Sequence, residues 1–431
     1  MKSLVENKWV CSSEMVDVIN PVSGEVLEKV PNLSSSDITK NLRFAKKNLG
    51  KWQDKALAQR CEIIEVFSLL VHKNKDELAK MYSLDAGIPL KKTKEEILKI
   101  ETRSKYLAEE IKHEKMTMVS EDLVLDVKMP LGTILCLFEP YFKAEDFLEN
   151  VVLALLRGNA VLICPSSLSP IVLTRLVELL IEAGVPAGIV SVMHTSDDNL
   201  LYSKALEEVS HVIVCGMVKG LEVLKKFQKE SSSFEYNFSK DVLVVCHDAD
   251  LALASDYAID MLKRFDAFKI CLLSEKVKDK FEMLVKEKMR NIRVCIPWMI
   301  EADVGAFVTP DYLEWASCSW QGEILQGGRK KNCYLQPTLL KVDDYSKDIW
   351  GPVLPVLKYL DFAEVENALS DNSSSLNVAI FSENTENINR LAKNADAFVV
   401  SINPVIVKRI VKDKNYKIKK VIINNKKGIV L

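Results

Sequence analysis

Residues 130–167 read PLGTILCLFEPYFKAEDFLENVVLALLRGNAVLICPSS. Two apolar runs, ILCLF at 134–138 and AVLIC at 160–164, bracket an amphipathic stretch at 145–156. Unbroken apolar runs of that length are what strands buried on both faces require, and such strands belong to parallel sheets. The intervening stretch is long enough for a crossover helix, so the segment predicts a right-handed strand–helix–strand unit. The same texture continues downstream. A helix is expected at 169–183, strand IVSVM at 189–193, a helix at 199–206, strand HVIVC at 211–215, a helix at 219–229 and strand VLVVC at 242–246. Strands alternating with helices in this way predict a doubly wound parallel sheet. A second α/β unit is expected from Leu251 to about Pro404.

Upstream, DVINPVSGEVLEKVP (17–31) reads as two short strands around an Asn-Pro…Ser-Gly turn. Ser34 to Ser36 can cap a helix beginning near Asp37, and a long helical tract then runs to about Lys112, broken at Gly87-Ile88-Pro89. Residues 117–128 alternate apolar and polar as a strand pair would, and KIKKVIINN near the C-terminus reads as an exposed strand in need of an edge. A length of 431 residues implies two or more domains. The net charge of −2 gives no electrostatic footprint for nucleic acid. No apolar run approaches the ~20 residues needed to cross a bilayer, and Met1–Val10 does not read as a secretory signal. Ten scattered cysteines without CxxC pairs fit free thiols in a reducing cytoplasm and offer no zinc site. Only 15 glycines occur in the 431 residues, about half of the usual ~7%. Glycine is the residue that lets backbone approach a phosphate closely, so the shortage bears on any nucleotide site.

Several landmarks stand in one order: INPVSGEV (19–26), Trp52 with Arg60, PLG (130–132), GNAVLICPSS (158–167), EAGVPAGIVSV (182–192), HDADL (247–251), ADVG (302–305), YLQPTLL (334–340), IWGPVLPV (349–356) and INP (402–404). In this order and spacing the chain resembles the aldehyde dehydrogenase superfamily over nearly its whole length. The resemblance implies two doubly wound α/β domains and a small β oligomerisation arm. Residues 1–240 would form a cofactor-type domain, with 117–128 as arm strands. Residues 241–404 would form a catalytic-type domain, and 405–431 a shortened C-terminal segment carrying an oligomerisation strand.

The family's chemistry needs a thiolate nucleophile, an amide donor for the oxyanion, a bound NAD or NADP to take hydride, and a carboxylate to activate water. By resemblance Cys271, in FDAFKIC (265–271), stands at the nucleophile position, with Phe268 and Lys269 in place of the family's glycine and glutamine. A neighbouring lysine favours thiolate; a small cysteine packed like an apolar residue is the other reading. Tyr141 falls at the oxyanion amide position. Its hydroxyl can donate, but its ring, with that of Tyr236, is expected to fill the substrate funnel. Tyr236 takes the place of the family's glutamate, leaving Glu235 as the neighbouring candidate base, on the opposite face of an extended strand. Of the cofactor positions, Ser166 is kept between Pro165 and Ser167, but Cys164 replaces a lysine. Gly216 is kept in Cys215-Gly216-Met217, where methionine replaces a serine. Asp348 and Trp350 replace the glutamate and phenylalanine of a further motif. No metal site is implied.

After INP the chain is too short to supply the family's glycine-rich loop at the substrate entrance. Dimer-building strands are therefore kept where site-building parts are not, and a homodimer or higher oligomer is expected, with an active relative as one conceivable partner. Two functions follow. One is a pseudoenzyme serving as a structural or regulatory subunit; the other is an active NAD(P)-dependent aldehyde or CoA-acylating dehydrogenase with unusual site residues.

Overall fold

In the computed structural model, the described residues are 1–431 without 115–116, 119–123, 218–220, 232, 238–239, 266–267, 319, 345–348, 371–374, 396, 405–415 and 423–431. Two sheets organise the chain. The first has five parallel strands in the spatial order Phe234–Asn237, His211–Cys215, Thr133–Phe138, Ala160–Pro165, Val190–Val192. The second has seven, in the order Glu323–Gln326, Thr338–Lys341, Val353–Tyr359, Phe268–Ser274, Lys240–Val245, Ser375–Phe381, Ala397–Ile402. All of its pairings are parallel except that of the edge strand Glu323–Gln326. Every residue of Thr133–Phe138 and of Ala160–Pro165 is buried, as strands covered by helices on both faces must be.

The expected helical tract is three helices, Ser35–Gln53, Leu57–Ala86 and Leu90–Lys112. Ser34 caps the first, its hydroxyl accepting from the Asp37 N–H. Gly87, at φ +70°, closes the second. The break at Asp54–Ala56 has no glycine or proline to announce it; Arg60 fixes it by donating to the carbonyls of Trp52 and Lys55. Trp52 and Arg60 also donate to Leu155 and Leu156 carbonyls at 3.1 and 3.0 Å, satisfying the C-terminal end of the crossover helix. That crossover (Ala144–Leu156) contains one π-helical turn, Leu148–Val152.

Other landmarks are likewise structural. Asn20 Oδ1 accepts from the Val22 and Ser23 N–H groups and holds the turn of an antiparallel hairpin, Met15–Ile19 with Val26–Pro31. Asp248 of HDADL accepts from Ser382, Glu383 and Asn384, while Asn403 of INP accepts from the Ser382 N–H. These motifs tie the ends of adjacent strands together. The C-terminal strand Tyr416–Ile422 finds its edge within the chain, antiparallel to Val124–Pro130, which also pairs with Thr117–Met118. No helix among the described residues is long and apolar enough to cross a membrane.

Candidate active site

The site positions lie on different elements. Cys271 is the fourth residue of the strand Phe268–Ser274, paired with Leu243 on one side and Val356 on the other. Its side chain has no solvent exposure and packs with Leu243, Tyr257, Met261 and Phe281 between the sheet and two helices. Burial, followed by the charge of Glu282, pushes its thiol far above the ordinary range. Enclosure of this kind favours the thiol over the thiolate. Of the two readings of FDAFKIC, nucleophile or cysteine packed like an apolar residue, the strand beginning at Phe268 carries Cys271 into the core, as the second describes. All ten cysteines are free, and Cys11 and Cys318 are the exposed ones.

Glu235 does not come to Cys271. It sits on the first sheet's edge strand, opposite Ile213, with a carboxylate oxygen 3.7 Å from His211 Nε2. The Tyr236 side chain and Asp348 lie outside the described residues.

Tyr141 is 1% exposed and holds φ +64°, a conformation rarely adopted by bulky residues. Its hydroxyl accepts a hydrogen bond from the Val308 N–H at 2.7 Å, and burial raises its pKa beyond the usual phenol range. Its ring stacks on Phe265 at 5.2 Å and meets Phe307 and Tyr312 edge-on at 6.3 and 6.4 Å. Tyr312 continues to Trp315, and Trp315 to Trp350, at 5.4 and 5.9 Å. Met217 belongs to the same buried cluster, and its carbonyl accepts from the Tyr312 hydroxyl. Residues that the resemblance sends to the oxyanion, phosphate and nicotinamide positions therefore share one apolar core between the two sheets. Phe307, Tyr312 and Trp315 were missed in the sequence, although AFVTPDYLEW (306–315) is dense enough in aromatics to have flagged them. A pocket of about 70 Å³ lies against Tyr141 and Phe265, bordered by Lys92, Lys263 and Arg264; Cys271 is not in its wall.

The crevice at the carboxyl ends of the first sheet is where such folds hold a dinucleotide. Here the strand-end loops bond to one another. Glu139 N–H donates to Cys215 O at 2.8 Å, Met217 N–H to Pro140 O at 3.1 Å, and Ser166 N–H to Phe138 O at 2.7 Å. Gly216 is required for this approach: a Cβ at its φ of +93° would lie 2.7 Å from the Glu139 carbonyl oxygen. The acid of Glu139 is pushed up to about 8, by burial first and by the charge of Asp197 second. A pyrophosphate fits these residues poorly, since the Glu139, Met217 and Ser166 N–H groups are bonded to carbonyls within the chain, and Glu139 with Asp197 brings acids to the spot. Glu139, which is half-buried, was missed in the sequence because nothing local marks a carboxylate as losing solvent.

A model of the Aldehyde dehydrogenase family matches residues 9–415. The chain belongs to the aldehyde dehydrogenase family. A lactaldehyde dehydrogenase of Methanococcus maripaludis (strain C5) is 27% identical over 420 residues, 91% of this chain and 88% of that protein. Succinate-semialdehyde dehydrogenase [NADP(+)] 2 of Schizosaccharomyces pombe is 25% identical over 438 residues, covering 93% and 88%. Among solved structures, a betaine aldehyde dehydrogenase of Staphylococcus aureus in complex with NAD+ superposes with a TM-score of 0.86 at 19% identity, over 100% of this chain and 98% of that one. An E. coli NADP-dependent enzyme gives 0.84 at 20%, over 97% of each chain. At such identities the structural likeness speaks for the fold alone.

Proposed function

We propose that this member of the aldehyde dehydrogenase family does not bind NAD or NADP and does not oxidise aldehydes. It acts as a cytoplasmic structural or regulatory subunit, as a homodimer or higher oligomer or beside an active relative. The observation that carries this reading is the bonding between the strand-end loops at residues 138–141 and 215–217, in which the Glu139 and Met217 N–H groups donate to the Cys215 and Pro140 carbonyls. The mid-strand position of Cys271 and the aromatic filling around Tyr141 support it independently. The test is calorimetric titration with NAD and NADP beside an active family member. No binding tighter than millimolar is expected, whereas micromolar binding that persists after Arg329→Ala/Lys331→Ala, in a cationic cleft far from these loops in sequence, would overturn the reading.

The second reading, an active NAD(P)-dependent aldehyde or CoA-acylating dehydrogenase, is favoured by the activities for which the relatives are named across nine tenths of the chain. It would act on a small aldehyde of the lactaldehyde or succinate-semialdehyde kind. Its signature is aldehyde-dependent NAD(P)H formation that disappears in Cys271→Ala while the variant keeps its fold.

A further inference from the structure

The seven-stranded half carries a cleft on its outer side that the site described above does not use. It has a volume of about 600 Å³ and lies between the end of the helix Lys278–Met289 and the hairpin Lys330–Lys331/Tyr334–Leu335. That volume is within the ~300–1,000 Å³ of small-molecule sites. Ile292, Val294 and Tyr334 supply an apolar wall, and Arg290, Arg329, Lys330 and Lys331 stand around it; none of the lining residues is acidic. Of the four cations only Lys330 has an ion-pair partner among the described residues, Glu314 at 2.9 Å. In a chain of net charge −2 this is a local excess of positive charge, not a reflection of the whole.

The cleft is also fixed in shape. Gly327 and Gly328 both take left-handed φ, +89° and +80°, and a Cβ on Gly327 would lie 1.9 Å from the Pro337 carbonyl oxygen. Gln326 Nε2 donates to Lys286 O at 3.0 Å, pinning the hairpin to the helix end. The last carbonyls of that helix are occupied: Glu287 and Lys288 accept from the Arg290 N–H, and Met289 accepts from the Ile292 N–H. They do not present an unmatched negative end to an incoming anion.

We propose that this cleft binds a nucleoside phosphate. Arg290, Arg329 and Lys331 hold the phosphates, for which the planar guanidinium is suited, and the base lies on Tyr334, Ile292 and Val294. The experiment is a titration of the full chain with ADP, repeated on the double variant Arg329→Ala/Lys331→Ala, whose exposed positions leave the fold intact as judged by circular dichroism. Saturable ADP binding is expected to weaken about tenfold or more in the double variant, and again when salt is raised, because both remove charge attraction. Inorganic phosphate should bind more weakly than ADP, since it leaves the apolar wall uncovered. No ADP binding at millimolar concentration would overturn the proposal. So would binding that the double variant leaves unchanged, which would locate ADP elsewhere, including the strand-end crevice. An RNA oligonucleotide that binds while ADP does not would overturn it as well.

Discussion

A single thiol shows how far residue identity and residue role can part. Cys271 sits at the family's nucleophile position by motif, yet its neighbours are Leu243, Tyr257, Met261 and Phe281. Alkylation of the native protein with iodoacetamide, followed by peptide mapping, is expected to label Cys11 and Cys318 and to spare Cys271 until the chain is denatured. Rapid native labelling of Cys271 would show that its strand opens. His194 is a second residue whose surroundings decide its chemistry. It is 1% exposed, and burial, helped by the nearby N-terminal amino group, depresses its pKa from 6.5 to about 3. Because the folded imidazole resists protonation, its contribution to stability is complete above pH 6.5 and drains as pH falls toward 3. The cost reaches about 2 kcal/mol by pH 5. Urea midpoints measured from pH 7 to pH 5 should therefore fall in the wild type and fall less in His194→Gln; parallel slopes would refute this.

At the scale of elements, four strands of the first sheet were legible because burial on both faces leaves an apolar run, and they fall within a residue or two of their expected bounds; its edge strand Phe234–Asn237, which has no such run, was not, and VLVVC belongs to the second sheet. What could not be read was the meeting of distant pieces. The helix Ile171–Glu182 receives its first-turn acceptor from Asp85, whose Oδ2 takes the Ile171 N–H at 2.7 Å from a different helix. Tyr141 was singled out from its motif position, and its ring is buried in an aromatic cluster. Its partners Phe307 and Tyr312 come from AFVTPDYLEW, whose density of aromatics was a signal but gave no hint of which ring they would meet. At Cys271 the motif left two readings open, because a motif match does not show whether a thiol faces a crevice or the core. Gly87 joins two elements in the same hidden way. A Cβ there would lie 2.3 Å from the Ala306 carbonyl oxygen, and the Gly87 carbonyl accepts from the Ala306 N–H at 2.9 Å. Gly87→Ala is expected to cost more than about 1 kcal/mol, since φ +70° and the contact both oppose it. Equilibrium unfolding of that variant checks the value; an unchanged midpoint would mean the loop shifts freely.

Considered as a whole molecule, the chain has a three-stranded sheet set apart from its two large ones, with Val124–Pro130 in the centre. The proposed oligomer rests on this arm. Removing residues 405–431 is expected to lower the mass seen by light scattering to that of one chain, because Val124–Pro130 then loses its longest neighbour; an unchanged mass would place the contact elsewhere. The aromatic cluster has a different bearing on the molecule. Phe265, Phe307, Tyr312 and Trp350 from the seven-stranded half enclose Tyr141 and Met217 from the five-stranded half. An enzyme whose halves are bridged by a bound cofactor draws part of its cohesion from the solution around it, and loses it when the ligand is scarce. If, as proposed, this chain binds no cofactor, the aromatic bridge is covalently part of it, and the two halves stay joined by the same free energy in a starved cell as in a fed one.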